Sequence, residues 1–207
     1  MKALAQKKEI ILQRELTFAN AIGAAVFEKP KVSFWMVFIP ILFVYFIYRM
    51  QRFKSGRMKF DEEFMTTRRR AMDAALDAVE TNIRPDMGAV ARNSSLPEAL
   101  QKPYVSWMKA LVEYYMDLLA ADGDSFESLI RAAYRTRTDY LLTLNRLNTV
   151  EKEFYTALKP HMGAAEGAAD IIATIESQSQ RLRRELAEQM KRAELLAITE
   201  VGRTGHV

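Results

Sequence analysis

Cysteine is absent from all 207 residues, which excludes disulfides, thiolate metal sites, a cysteine nucleophile and S-acylation. Position 2 is Lys2 rather than glycine, so N-myristoylation is not expected. Any lipid contact is therefore expected to come from the polypeptide itself. Histidine is scarce: His161 and His206 are the only two, and neither stands at helical spacing from a carboxylate pair. Glu-x-x-His di-iron ligands and His-Glu-x-x-His zinc sites are thus missing. The chain also lacks Gly-x-Gly-x-x-Gly, Gly-x4-Gly-Lys-Ser/Thr and Gly-x-Ser-x-Gly, so nucleotide and hydrolase chemistry have no visible seat. Asp122-Gly123-Asp124 lacks the spaced ligands and closing Glu of a calcium loop, and reads as a helix boundary. No catalytic, cofactor or metal residue is expected, and a non-enzymatic role follows.

Acidic residues are lacking at one end. Residues 1–59 carry 11 Lys/Arg against 3 Asp/Glu, a balance of +8, whereas residues 60–207 carry 19 against 23, a balance of −4. A nucleic-acid-binding body would hold its basic excess in the folded part. Here the excess is elsewhere, and no nucleic-acid partner is expected.

One stretch lacks charge altogether. Val32–Tyr48 reads VSFWMVFIPILFVYFIY, seventeen residues in which Ser33 is the only strongly polar side chain. At 1.5 Å per residue it makes roughly 25 Å of helix, at the short end for a hydrocarbon core of about 30 Å. Aromatics and bulky aliphatics fill every helical face, whereas a soluble helix keeps a polar one. Lys29 and Lys31 precede the run and Arg49 and Arg52 follow it. Trp35, Tyr45 and Tyr48 stand where amphipathic rings favour the headgroups. Pro40, at the midpoint, either kinks a spanning helix or turns a hairpin back to the same side. The kinked span is the favoured expectation and the re-entrant hairpin its alternative. Arg49, Arg52, Lys54, Arg57 and Lys59 then place the C-terminal body in the cytoplasm of a bacterial inner membrane. With Arg68, Arg69 and Arg70 they form a basic zone for anionic lipid, at about 1 kcal/mol per charge near the leaflet. Ahead of the run, residues 10–27 space Ile11, Leu12, Leu16, Ala19, Ile22 and Val26 helically, interrupted by Arg14 and Glu15. That pattern fits an interfacial helix or one folding back on the body.

Strand-like alternation is missing after Lys59, where four helical blocks are separated by Pro, Gly and Asn clusters. The first spans about 59–83, with Met65, Met72, Leu76, Val79 and Ile83 on one stripe and Phe64, Ala71, Ala75 and Ala78 beside it. The second starts near a Ser95-x-x-Glu98 capping box and is apolar enough to be the central helix. The third opens with Asp124 as N-cap and steps through Phe126, Ile130, Ala133, Arg137, Tyr140, Leu144, Leu147, Glu151, Phe154 and Leu158. The fourth steps through Ile172, Ile175, Ser179, Leu182, Leu186 and Gln189. The last two should pair as an antiparallel, coiled-coil-like hairpin roughly 40–50 Å long. The polar positions Arg137, Glu151, Ser179 and Gln189 would set register or meet another subunit, and the seam as a whole is the expected self-association surface.

The expected fold is all-α: an N-terminal amphipathic helix (1–28), a membrane anchor (29–52), a basic segment (53–59), a helical bundle (60–200) and a tail (201–207). The expected role is that of a membrane-anchored structural or adaptor subunit, with lipid and other protein chains, or a second copy, as partners. The competing expectations are a ligand pocket or enzyme site among Trp107, Tyr114, Tyr115, Tyr134 and Tyr140, and a membrane tether for nucleic acid, against which the −4 balance of residues 60–207 argues.

Overall fold

The computed structural model describes residues 2–27, 56–88, 96–162 and 168–204. Val32–Tyr48 lies outside the described residues, with Trp35, Pro40, Tyr45 and Tyr48, and so do Arg49, Arg52 and Lys54. Among the described residues there are six α-helices: α1 (Lys2–Phe27), α2 (Gly56–Thr81), α3 (Glu98–Ala120), α4 (Phe126–Ala133), α5 (Arg137–Leu158) and α6 (Ala168–Thr204). A 3-10 turn over Lys159–Met162 continues α5. No strand occurs among the described residues. Nor is any described helix long and apolar enough to cross a membrane.

Each helix buries a stripe at 3.6-residue spacing. On α1 the stripe is Ile11, Ala19, Ile22 and Val26, all essentially inaccessible. This helix is therefore part of the core, neither a separate domain nor an interfacial helix; of the two expectations for it, folding back on the body is the one observed. On α2 the small residues Ala71, Ala75 and Ala78 are buried beside Phe64, Met65 and Met72, while Ile83 is 69% exposed. The buried face thus joins Met65 and Met72 of the expected stripe to the residues expected beside it, with Leu76 and Val79 half-buried at its edge and Ile83 beyond the helix end. Asn82 ends α2 with φ of 57°, the left-handed conformation that Asn tolerates after a helix C-terminus.

The central position expected for the second block is borne out, since α3 packs against α1, α2, α4 and α5. Its start is not where expected: the N-cap is Pro97, without a side-chain cap, and Ser95 lies outside the described residues. The third block also differs. Ser125 rather than Asp124 caps it, through a reciprocal box with Ser128, and the chain breaks at Tyr134–Thr136 to give α4 and α5. Thr136 caps α5 by accepting from the Asp139 N–H at 3.1 Å.

The long helices form a closed ring in the order α1, α2, α3, α5, α6, with α6 returning to α1. α5 and α6 are antiparallel, as expected, because Lys159 reaches Glu176, Glu151 reaches Arg183 and Arg137 reaches Glu188. α1 and α2 are antiparallel too: Lys8 pairs with Asp73 at 2.7 Å, Glu15 with Arg68 at 2.8 Å, and the Phe18 and Phe64 rings lie 6.2 Å apart. Phe27 and Gly56 consequently stand at the same end of the bundle. Lys7, at the other end of α1, donates to the Leu119 carbonyl at 3.2 Å near the C-terminus of α3.

Candidate functional site

Four charged side chains occupy core positions on four of the helices. Glu15 falls on the Ile11–Ala19–Ile22 stripe of α1, Arg68 on the Phe64–Ala71–Ala75 stripe of α2, Glu151 on the Leu144–Leu147–Phe154 stripe of α5, and Arg183 between Ser179 and Leu186 on α6. Helical geometry thus carries all four into the ring's interior. Arg68, 1% exposed, donates from Nε to Glu15 Oε2 at 2.8 Å, and its Nη2 lies 3.6 Å from Glu151 Oε1. Arg183 donates from Nη1 to Glu151 Oε2 at 2.6 Å and to Asn148 Oδ1. The aromatic rings complete the cluster. The Arg68 guanidinium lies 3.8 Å from the Phe64 centroid, and both guanidiniums lie 5.4 Å from that of Phe18, a placement worth more where water is excluded.

Burial on its own would weaken the hold of Arg68 on its proton; the Glu15 and Glu151 carboxylates outweigh it and hold the pKa above the ordinary arginine value. Around the cluster, burial raises the Tyr114, Tyr115 and Tyr155 phenols well above theirs. Glu15 raises Tyr115 further, while Arg68 opposes it. Not every buried group is satisfied: Arg68 Nη1 and the Tyr115, Tyr140 and Tyr155 hydroxyls lack hydrogen-bond partners of good geometry. Such groups cost about 1–3 kcal/mol each unless something fills the gap.

Beside the cluster is a cavity of about 220 Å³ lined by residues from all six helices, α2 through Arg68 alone. Arg68, Leu111, Leu144 and Leu147 form its buried floor, Phe18 and Phe126 its sides, and Thr17, Glu185 and Gln189 its exposed rim. Arg14 is half-buried there, its guanidinium 5.6 Å from the Phe126 centroid. Among the described residues no cluster of His, Asp and Glu could hold a metal ion.

The residues expected from sequence are distributed differently. Arg57 and Lys59 stand in the first turns of α2, and Arg69 and Arg70 are exposed, but Arg68 is buried in the ion cluster and is withdrawn as a lipid contact. The seam is corrected in the same way. Tyr140, Leu144, Leu147, Ile175, Ser179 and Leu186 are buried in the chain's own core, so they are not free to meet a partner, while Leu182 is half-buried and Gln189 exposed. Arg137 does bridge the hairpin, to Glu188 and to the Ala187 carbonyl.

The aromatic set does not converge on one pocket. Trp107 stacks on Phe154 at 5.2 Å, Tyr134 donates to Asp117 Oδ2 at 3.3 Å and lies 5.1 Å from Tyr140, and only Tyr114 lines the cavity. Arg14, Glu15, Arg68 and Arg183 are the residues that sequence reasoning missed as a group. The signal was available: each acid and base of the cluster interrupts an apolar stripe from within. Compared with protein-family models, with curated proteins and with solved structures, the chain matches none.

Proposed function

We propose that the protein is a membrane-attached, all-helical structural or adaptor subunit, held at the bilayer by a re-entrant segment around Val32–Tyr48 and acting by positioning its body for protein partners. The observation that carries this reading is the antiparallel pairing of α1 with α2, which puts Phe27 and Gly56 at one end of the bundle. A segment that leaves and returns at one end has both flanks on one side of a bilayer. A single span would need α1 on the opposite side, pulling Ile11, Ala19 and Ile22 out of the core. The hairpin therefore replaces the kinked span as the favoured topology.

The sequence agrees in length and charge. Pro40 divides the run into Val32–Ile39 and Ile41–Tyr48, two arms each about 12 Å long as helix, enough to enter one leaflet of a hydrocarbon core of about 30 Å. Lys29, Lys31, Arg49, Arg52 and Lys54 then share one surface, where each favours anionic lipid and none has to be translocated.

The test uses single cysteines at two exposed positions, Gln6→Cys and Glu153→Cys, in an otherwise cysteine-free chain. An impermeant maleimide added to intact and to opened cells should reach both from the same side; opposite sidedness overturns the hairpin. Attachment is tested separately by Ile41→Asp with Phe43→Asp. This variant should leave the membrane fraction still folded, taking with it the proteins that copurify in mild detergent. Retention at the membrane overturns attachment through this run.

A further inference from the structure

We infer that the cavity beside the ion cluster is a binding site for a small amphiphile with a single carboxylate head and a short hydrocarbon body. The charge balance points to the head. Arg68 and Arg183 are matched by Glu15 and Glu151, leaving Arg14, half-buried and stacked on Phe126, with no carboxylate paired to it among the described residues. One carboxylate would neutralise Arg14, and charge-assisted bonds to guanidinium are among the stronger polar contacts.

The walls point to the body. Phe18, Leu111, Phe126, Leu144 and Leu147 present hydrocarbon, which a chain of methylenes covers better than water does, since water needs two to four polar partners. At about 220 Å³ the space falls below the roughly 300–1,000 Å³ of drug-sized sites, so the ligand is short. Exposed Thr17, Glu185 and Gln189 leave a mouth between α1 and α6. The acidic Glu185 there disfavours a dianion such as phosphate.

Hexanoate is the probe, titrated by calorimetry into the full-length protein in a non-ionic detergent, with hexanol and acetate as comparisons. Hexanoate should bind at one site per chain, and at least about tenfold more tightly than either comparison, because each lacks one half of the recognition. Arg14→Gln should weaken hexanoate by about tenfold, as expected for one lost charge-assisted bond, and leave hexanol unchanged. Ala21→Leu, which fills the cavity from its wall without touching a charge, should weaken both. Equal binding of hexanol and hexanoate overturns the assignment of the head. Full hexanoate affinity in both variants, or no binding to the wild type, overturns the site. Helical circular dichroism and an unchanged unfolding midpoint establish that each variant is folded.

Discussion

Arg68, Arg69 and Arg70 are chemically identical neighbours with different environments. Successive helical residues are rotated by about 100°, so a triplet cannot share one face. Arg68 points inward to Glu15 and Glu151, and the other two face solvent. Read as a block of charge, the triplet suggested lipid; read position by position against Phe64, Ala71 and Ala75, it contained one core residue. Glu151 shows the complementary case, a seam position whose polarity correctly signalled a cross-helix partner. Its carboxylate serves two buried guanidiniums, so Glu151→Gln leaves both short of countercharge. A loss of about 3–5 kcal/mol is expected, read as a lowered denaturant midpoint at constant slope. Glu15→Gln combined with Arg68→Met should cost less than the sum of the single changes, because the two are coupled. Strict additivity would mean that the pair does not interact in solution.

At the level of elements, helical periodicity gave the all-α class, the central second block and the antiparallel α5–α6 pairing. What periodicity cannot report is which surface a stripe meets. The seam on α5 and α6 looked like a coiled-coil interface open to a partner, but the ring of five long helices covers it with α1 and α3. Burial by distant segments leaves no local mark in a sequence. The break between α4 and α5 did leave one. Thr136-Arg137-Thr138-Asp139 has the spacing of a capping box, and the Thr136 hydroxyl both accepts from the Asp139 N–H and donates to Asp139 Oδ2 at 2.9 Å. The apolar stepping runs through it undisturbed, which hid the boundary. Thr136→Ala should destabilise the fold by about 1 kcal/mol, whereas Thr138→Ala, at an exposed helical position, should change it by less than about 0.5 kcal/mol. Equal effects, measured by thermal or denaturant unfolding, would show that α5 does not start there.

For the whole molecule, tyrosine provides a reporter of how completely the ring is closed. The chain has eight tyrosines; Tyr45 and Tyr48 belong to the apolar run, and Tyr104, Tyr114, Tyr115, Tyr134, Tyr140 and Tyr155 are buried. Burial, the largest cause in each case, raises all six above the ordinary phenol value. Arg70 partly offsets it at Tyr104 and Arg68 at Tyr115 and Tyr155, while Asp117 adds to it at Tyr134. A folded-state pKa above the unfolded one contributes stability that is complete below the unfolded value, about 10 for tyrosine, and is lost progressively as pH rises from there through the folded value. Between the two values the unfolded chain releases protons that the folded chain keeps, so each added pH unit favours unfolding by up to about 1.4 kcal/mol per phenol. Six such groups at the α3–α5 contact and its neighbours make the alkaline limit steep. In a pH titration followed by phenolate absorbance and helical circular dichroism together, at most two tyrosines should ionise while the helical signal is intact, and the other six should ionise in step with its collapse. Ionisation of three or more tyrosines in a fully helical protein would mean that the ring admits water at its centre. The Arg68–Glu151 cluster, which the same rings enclose, would then be solvated too, and the penalty expected for Glu151→Gln would shrink toward that of a surface pair, at most about 1 kcal/mol.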